Sequence, residues 1–210
     1  MWLRDPIRAL RKAHGKALDR GDVDVLIQSD YDESNDAACT RHEHCGRSAW
    51  CNARTGRCED EVCGGFYYLR SAPPAIAFLE ALFERMAWQR KHVDARIGEQ
   101  PALNYVLRRT PGVRYRILPR ARYPNGNAYF GFVDRMVQVS PGSMRELLEL
   151  GGTGDDIYAA AGLPPPVIVH NNWLAGFEAK RQRFVDHGMW HLREDGTCRE
   201  NEIKERQLSW

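Results

Sequence analysis

The sequence predicts an α/β domain with a mostly parallel sheet flanked by helices, carrying a small cysteine-rich insert. Three observations lead there. Short apolar runs of strand length alternate with longer segments whose apolar residues recur at helical spacing, the order that lays helices over a sheet. The 210 residues suffice for one globular domain with a core and are too few for two comfortable ones. Neither an internal repeat nor a low-complexity linker divides them, so residues 1–210 read as a single domain interrupted at 31–63.

The elements follow in order. Pro6 suits the first turn of a helix over residues 6–19, with Ile7, Leu10 and Leu18 on one side and Gly21 ending it. Val23 to Gln28 reads as a buried strand that runs out at Ser29-Asp30. After the polar insert, Gly64-Gly65 introduces a short aromatic strand, Phe66 to Arg70. Pro73-Pro74 opens the clearest helix, whose core face is expected to carry Ile76, Leu79, Leu82, Phe83 and Met86. A second helix covers about 100–108 with Leu103, Val106 and Leu107. Tyr115 to Leu118 and Val137 to Val139 read as strands, and Ser143 to Leu150 as a short helix stopped by Gly151-Gly152. Three prolines, 164–166, lead into Val167-Ile168-Val169-His170, a buried type of strand, and a helical segment from Ala175 to His187 follows.

Composition narrows the class of partner. Thirty Lys and Arg against 28 Asp and Glu leave a net charge of +2, and the arginines are dispersed, so no electrostatic pull toward nucleic acid is built in. No apolar run approaches the roughly 20 residues that span a bilayer. Met1-Trp2-Leu3-Arg4-Asp5-Pro6 lacks the basic-then-apolar layout of a signal peptide.

The cysteines point to an oxidising compartment. Cys39, Cys45, Cys51, Cys58 and Cys63 crowd into a polar segment with too few apolar residues to hold itself together, and Cys198 stands apart. The pattern favours a disulfide-stapled loop. Zinc is the rival, with His42 and His44 beside Cys39 and Cys45, yet the close ligand pairs of zinc sites are missing. A disulfide-rich insert without a targeting signal is most simply a fragment whose targeting segment lies upstream.

Ligands of open α/β sheets gather outside the C-terminal ends of strands. The most informative such end is His170-Asn171-Asn172-Trp173, followed by Leu174-Ala175-Gly176-Phe177-Glu178-Ala179-Lys180. A histidine there can ligate a divalent metal, Gly176 lets the backbone approach an anion, and Lys180 can set an ammonium on a phosphate. Asp22-Val23-Asp24 enters a strand rather than leaving one, and reads as turn and strand-start residues.

These segments, in order and at fitting distances with Gly65 to Ser71, Glu99-Gln100-Pro101-Ala102-Leu103-Asn104 and Gly188-Met189-Trp190, resemble the nucleotide-diphospho-sugar transferase domain of plant and algal arabinosyl- and xylosyltransferases. The likeness covers nearly the whole chain except 31–63. It implies a partial GT-A-like, Rossmann-like fold whose first portion, with its Asp-x-Asp segment, would precede Met1. It also implies a nucleoside-diphosphate sugar as donor, a glycan or glycoprotein as acceptor and a divalent cation such as manganese. His170 would be the metal ligand. Gly65, Asn172, Trp173, Gly176 and Lys180 would bind the donor, and Glu99 and Gln100 would face the sugar or acceptor. The expected setting is the Golgi lumen, as part of a type II membrane protein, with a truncated, non-catalytic glycan- or partner-binding relative as the alternative. The chain departs from the family at Cys63, where the pattern has asparagine, and at Glu99, where it usually has aspartate.

Overall fold

The computed structural model describes residues 4–30, 49–51, 58–139, 146, 152–190, 192–193 and 195–197, with backbone alone at 49–51 and 58–60. The first helix, α1 (Pro6–Asp19), starts where Asp5 Oδ1 accepts the Ile7 and Arg8 N–H groups at 2.9 and 3.0 Å, satisfying donors that the first turn leaves open. It stops at Arg20, and Gly21 turns the chain with φ +74°.

Every residue of β1 (Val25–Ser29) is buried. It is the middle strand of a three-stranded sheet ordered β4-β1-β5, between β4 (Val62–Leu69) and β5 (Tyr115–Ile117). β5 runs parallel to β1 and β4 antiparallel, with Val25 opposite Leu69 and a register shift between Ile27 and Ser29. The sheet is therefore mixed, and the expectation of a mostly parallel one is corrected. The reason lies in the connection: the chain leaving β1 at Ser29 re-enters the sheet opposite it at Val62, and such a return pairs the strands antiparallel without a crossover. Within that connection β2 (Ala49–Cys51) and β3 (Cys58–Asp60) pair antiparallel.

Both faces of the sheet are covered, which is why β1 is continuously apolar up to Gln28. On one face α1 packs Leu10 and Leu18 against Val23, Leu26 and Leu118. On the other, α2 (Pro73–His92) and α3 (Glu99–Leu107) pack Phe78, Leu82, Leu103 and Val106 against Val25, Ile27 and Val62. A third cluster joins α4 (Gly126–Val139) to α5 (Gly154–Ala160) through Tyr129, Val133 and Ile157.

Several local expectations are revised. β4 begins at Val62, so Cys63 and the Gly64-Gly65 pair lie within the strand. Val137 to Val139 closes α4 instead of forming a strand; Tyr129, Phe130 and Val133 set a helical stripe that three alternating residues cannot overrule. Residues 167–170 are largely buried but form no strand: Ile168 and His170 each make an isolated bridge, that of His170 running parallel to Asn125. On α2 the buried stripe is Ala75, Phe78, Leu82 and Gln89, leaving Ile76 and Phe83 exposed. The helix expected at 143–150 lies outside the described residues apart from Glu146.

Asp24 enters β1 fully buried and accepts from Arg70 Nη2 at 2.6 Å and from Arg114 Nε and N–H at 2.9 and 3.1 Å. Burial alone would raise its pKa, but the hydrogen bonds from Arg114 and Arg70 bring it down to about 2. Asp22 pairs at the surface with Arg20. The Asp22-Val23-Asp24 run is thus a turn and a structural ion cluster.

Candidate active site

At the C-terminal end of β1 the chain delivers a nearly buried carboxylate, Asp30, 6% exposed. Its N–H donates to the Glu61 carbonyl at 2.7 Å, fixing it beside the start of β4. Donors from two distant segments converge on it. Gln100 Nε2 reaches Oδ2 at 2.8 Å, while Asn172 Nδ2 and Trp173 Nε1 reach Oδ1 at 2.7 and 3.3 Å. Burial raises the Asp30 pKa, and these donors oppose the shift.

Gln100 sits there because α3 is clamped to β4. Buried Asn104 accepts the Val62 N–H at 2.9 Å and donates to the Val62 carbonyl at 2.8 Å, filling ladder positions of the strand with a side-chain amide. Gln100 Oε1 also accepts the Gly64 N–H at 3.2 Å. Glu99 lies so close over Gly64 that a Cβ there would stand 2.8 Å from Glu99 Oε1.

Beside Asp30, Cys63 Sγ lies 3.0 Å from His170 Nδ1 and also receives the Gly65 N–H at 3.4 Å. Burial first, and then the charge of Asp30, push the Cys63 thiol up to about 12, so it stays protonated at neutral pH. Cys63 Sγ and His170 Nδ1 share one hydrogen bond, whose direction follows the imidazole tautomer. Burial also lowers the His170 pKa, with the charge of Lys180 adding to the effect. The imidazole packs against bare backbone: a Cβ built on Gly65 would overlap the ring.

The segment after His170 is held from both sides. Asn172 Oδ1 accepts the Gly126 N–H at 2.7 Å, and Arg183 Nη1 donates to the Asn172 carbonyl at 3.0 Å and to Asn171 Oδ1 at 3.2 Å. Trp173 adopts φ +61°, a conformation costing a non-glycine residue roughly 1–2 kcal/mol, and stays 44% exposed. The Asp30 bond to its indole helps to hold it. Gly176, at φ +85°, begins α6 (Phe177–Asp186), which carries Lys180; the Lys180 carbonyl accepts Asn171 Nδ2 at 2.8 Å.

The structure thus brings Glu99, Gln100, Gly65, His170, Asn172 and Trp173 together, with Gly176 and Lys180 on the adjoining turn and helix. Asp30 and Asn104 were not singled out as site residues from sequence. Asp30 was visible as the polar end of a buried strand, but nothing in the sequence marked it as the common acceptor. Cys63, expected in a disulfide, is a free buried thiol. Its place inside β4, facing His170, explains the correction. Cys39, Cys45 and Cys198, and the side chains of Cys51 and Cys58, lie outside the described residues. Among the described residues no group of three or more His, Cys, Asp or Glu side chains is placed to hold a metal ion. His170 supplies one nitrogen donor, and a divalent cation takes several more ligands than that.

Comparison with known proteins places the chain. The model of the nucleotide-diphospho-sugar transferase family matches residues 1–184. The chain belongs to that family. A UDP-D-xylose:L-fucose α-1,3-D-xylosyltransferase of Arabidopsis thaliana is 24% identical over 90% of this chain and 42% of its own length. A UDP-galactose:fucoside α-3-galactosyltransferase of Dictyostelium discoideum is 25% identical over 65% of this chain and 19% of its own. A β-arabinofuranosyltransferase of Arabidopsis thaliana is 30% identical over 60% of this chain and 21% of its own. The chain thus spans under half the length of these relatives. No solved structure matches it.

Proposed function

We propose that this transferase-family domain moves a sugar from a nucleoside-diphosphate donor to a hydroxyl of a glycan acceptor. The observation that carries the reading is the convergence on Asp30. Gln100, Asn172 and Trp173, from segments singled out separately, meet at one carboxylate beyond the end of β1, where ligands of such sheets bind.

In this reading Gly176 and Lys180 take the diphosphate, the ammonium offsetting charge that develops as the bond from C1 to the phosphate oxygen breaks. The electron pair of that bond stays with the diphosphate, and an acceptor hydroxyl oxygen forms the new bond to C1. The acceptor proton passes to a carboxylate. Glu99, lying over Gly64, suits that role better than Asp30, whose oxygens are already occupied by donors. Gln100 and Asn172 hold the sugar through hydroxyls, and Gly65 and Trp173 shape the pocket. His170 would be a ligand of a cation such as manganese, which would supply further charge to offset the departing diphosphate. The relatives named for transfer to fucose make an L-fucoside the first acceptor to try. The Golgi lumen is the compartment that goes with this chemistry; among the described residues no helix is long and apolar enough to cross a membrane.

A second reading, a non-catalytic glycan- or partner-binding relative, is favoured by Cys63 standing where the family pattern has asparagine. Calorimetric titration with UDP, with and without manganese, separates the two. Donor transfer calls for UDP binding that Lys180→Ala weakens about tenfold, the loss of one charge-assisted phosphate contact of about 1.4 kcal/mol, and that His170→Ala also weakens when manganese is present. A folded chain that binds no UDP overturns donor transfer and leaves the binding role.

A further inference from the structure

A cleft of about 680 Å³ opens between α4 and α6. Asp134 and Gln138 line it from α4, Leu174 from the loop, and Gln182, Arg183 and His187 from α6 and its end. A smaller cavity of about 270 Å³ continues it, sharing Asp134 and Arg183 and reaching Gly126.

Three features say what it would hold. Its volume lies in the range of small-ligand sites. Its lining pairs amides and a carboxylate with the apolar surface of Leu174, and Asp134 and Asp186 offset Arg183, so the chemistry suits a neutral polyhydroxyl ligand better than an anion. His187 Nε2 lies 3.0 Å from Asp134 Oδ1, which fixes that carboxylate and leaves Oδ2 for a ligand.

The cleft is also wired to the reaction cluster. Arg183 lines both cavities, and the same Nη1 holds the Asn172 carbonyl and Asn171 Oδ1. The inner end closes on Gly126, whose absent Cβ would stand 2.7 Å from the Asn172 carbonyl oxygen. Asn172 in turn bonds Asp30.

We propose that the α4–α6 cleft is the glycan acceptor site, with Asp134, Gln138 and Gln182 hydrogen-bonding sugar hydroxyls and Arg183 tying its occupancy to Asn172. The word acceptor rests on the donor-transfer reading above; the sugar-binding cleft does not.

The test is titration of the ¹⁵N-labelled full chain with methyl α-L-fucoside to about 10 mM, enough to fill a site of ~1 mM affinity, reading the side-chain amides. The expected result is movement of the Gln138 and Gln182 signals. The double variant Gln138→Ala with Gln182→Ala should bind the fucoside at least about tenfold more weakly while keeping its UDP affinity. Movement confined to Gln100 and Asn172, no movement at all, or unchanged binding by the double variant overturns the cleft. A parallel UDP titration separates the two readings. Fucoside at the cleft without UDP binding keeps the sugar site and removes donor transfer; UDP binding without fucoside at the cleft does the reverse.

Discussion

Replacing Gly65 by alanine tests whether His170 is seated on bare backbone. The added Cβ would overlap the imidazole, so the ring must swing away or β4 must shift. Forced overpacking of a well-packed site costs about 1–3 kcal/mol, and relief by ring rotation breaks the 3.0 Å contact with Cys63. Gly15 in α1 supplies the contrast: nothing lies within 4 Å of a Cβ there, so alanine is expected to stabilise by about 0.5–1 kcal/mol. Urea unfolding followed by circular dichroism reads both changes, and the His170 ring signals in NMR report its seating. Gly65→Ala should lower stability and move those signals, while Gly15→Ala should raise stability and leave them in place. A Gly65→Ala chain within about 0.5 kcal/mol of wild type, with unmoved His170 signals, refutes the close packing.

Two other outcomes are expected. Asp24 has a folded pKa depressed to about 2, so its contribution is present above the unfolded value near 4 and is lost as pH falls through about 2. Asp24→Asn should therefore cost about 2 kcal/mol at pH 7 and flatten the acid limb between pH 4 and 2, measured by urea midpoints across that range; an unchanged limb counts against the Arg70–Asp24–Arg114 cluster. Cys63, buried and held near pKa 12, should resist a thiol reagent at pH 8 in the folded chain and react once urea unfolds it, with the label located by peptide mass mapping. Labelling of Cys63 in native buffer contradicts its burial.

How far the sequence could be read depends on the range of the forces involved. Elements set by local signals were legible: Asp5-Pro6 starts α1, Pro73-Pro74 starts α2, and the run through Ile27 is a buried strand. The direction of β4 was not, because strand pairing depends on where a long connection returns. The core face of α2 was misjudged for a related reason. Apolar residues occur around much of that helix, so spacing alone could not rank Phe78 above Phe83. At the site, His170, Gln100 and Asn172 stood out because their types and segments are distinctive. Asp30 and Asn104 act by joining segments, and such joins are invisible until the chain is folded. Cys63 was grouped with its sequence neighbours, whereas its partner, His170, lies 107 residues away.

The bonds that gather at Asp30 span 70 residues to Gln100 and 142 to Asn172. Contacts of such separation repay their loop-closure entropy only after the intervening chain is already ordered. The carboxylate is therefore a late keystone: helices and strands can form while the donors that define the site remain dispersed. A modest loss of stability anywhere between residues 30 and 172 should then weaken ligand affinity before it lowers helical content. Binding, more than circular dichroism, becomes the sensitive gauge of whether this chain has finished folding.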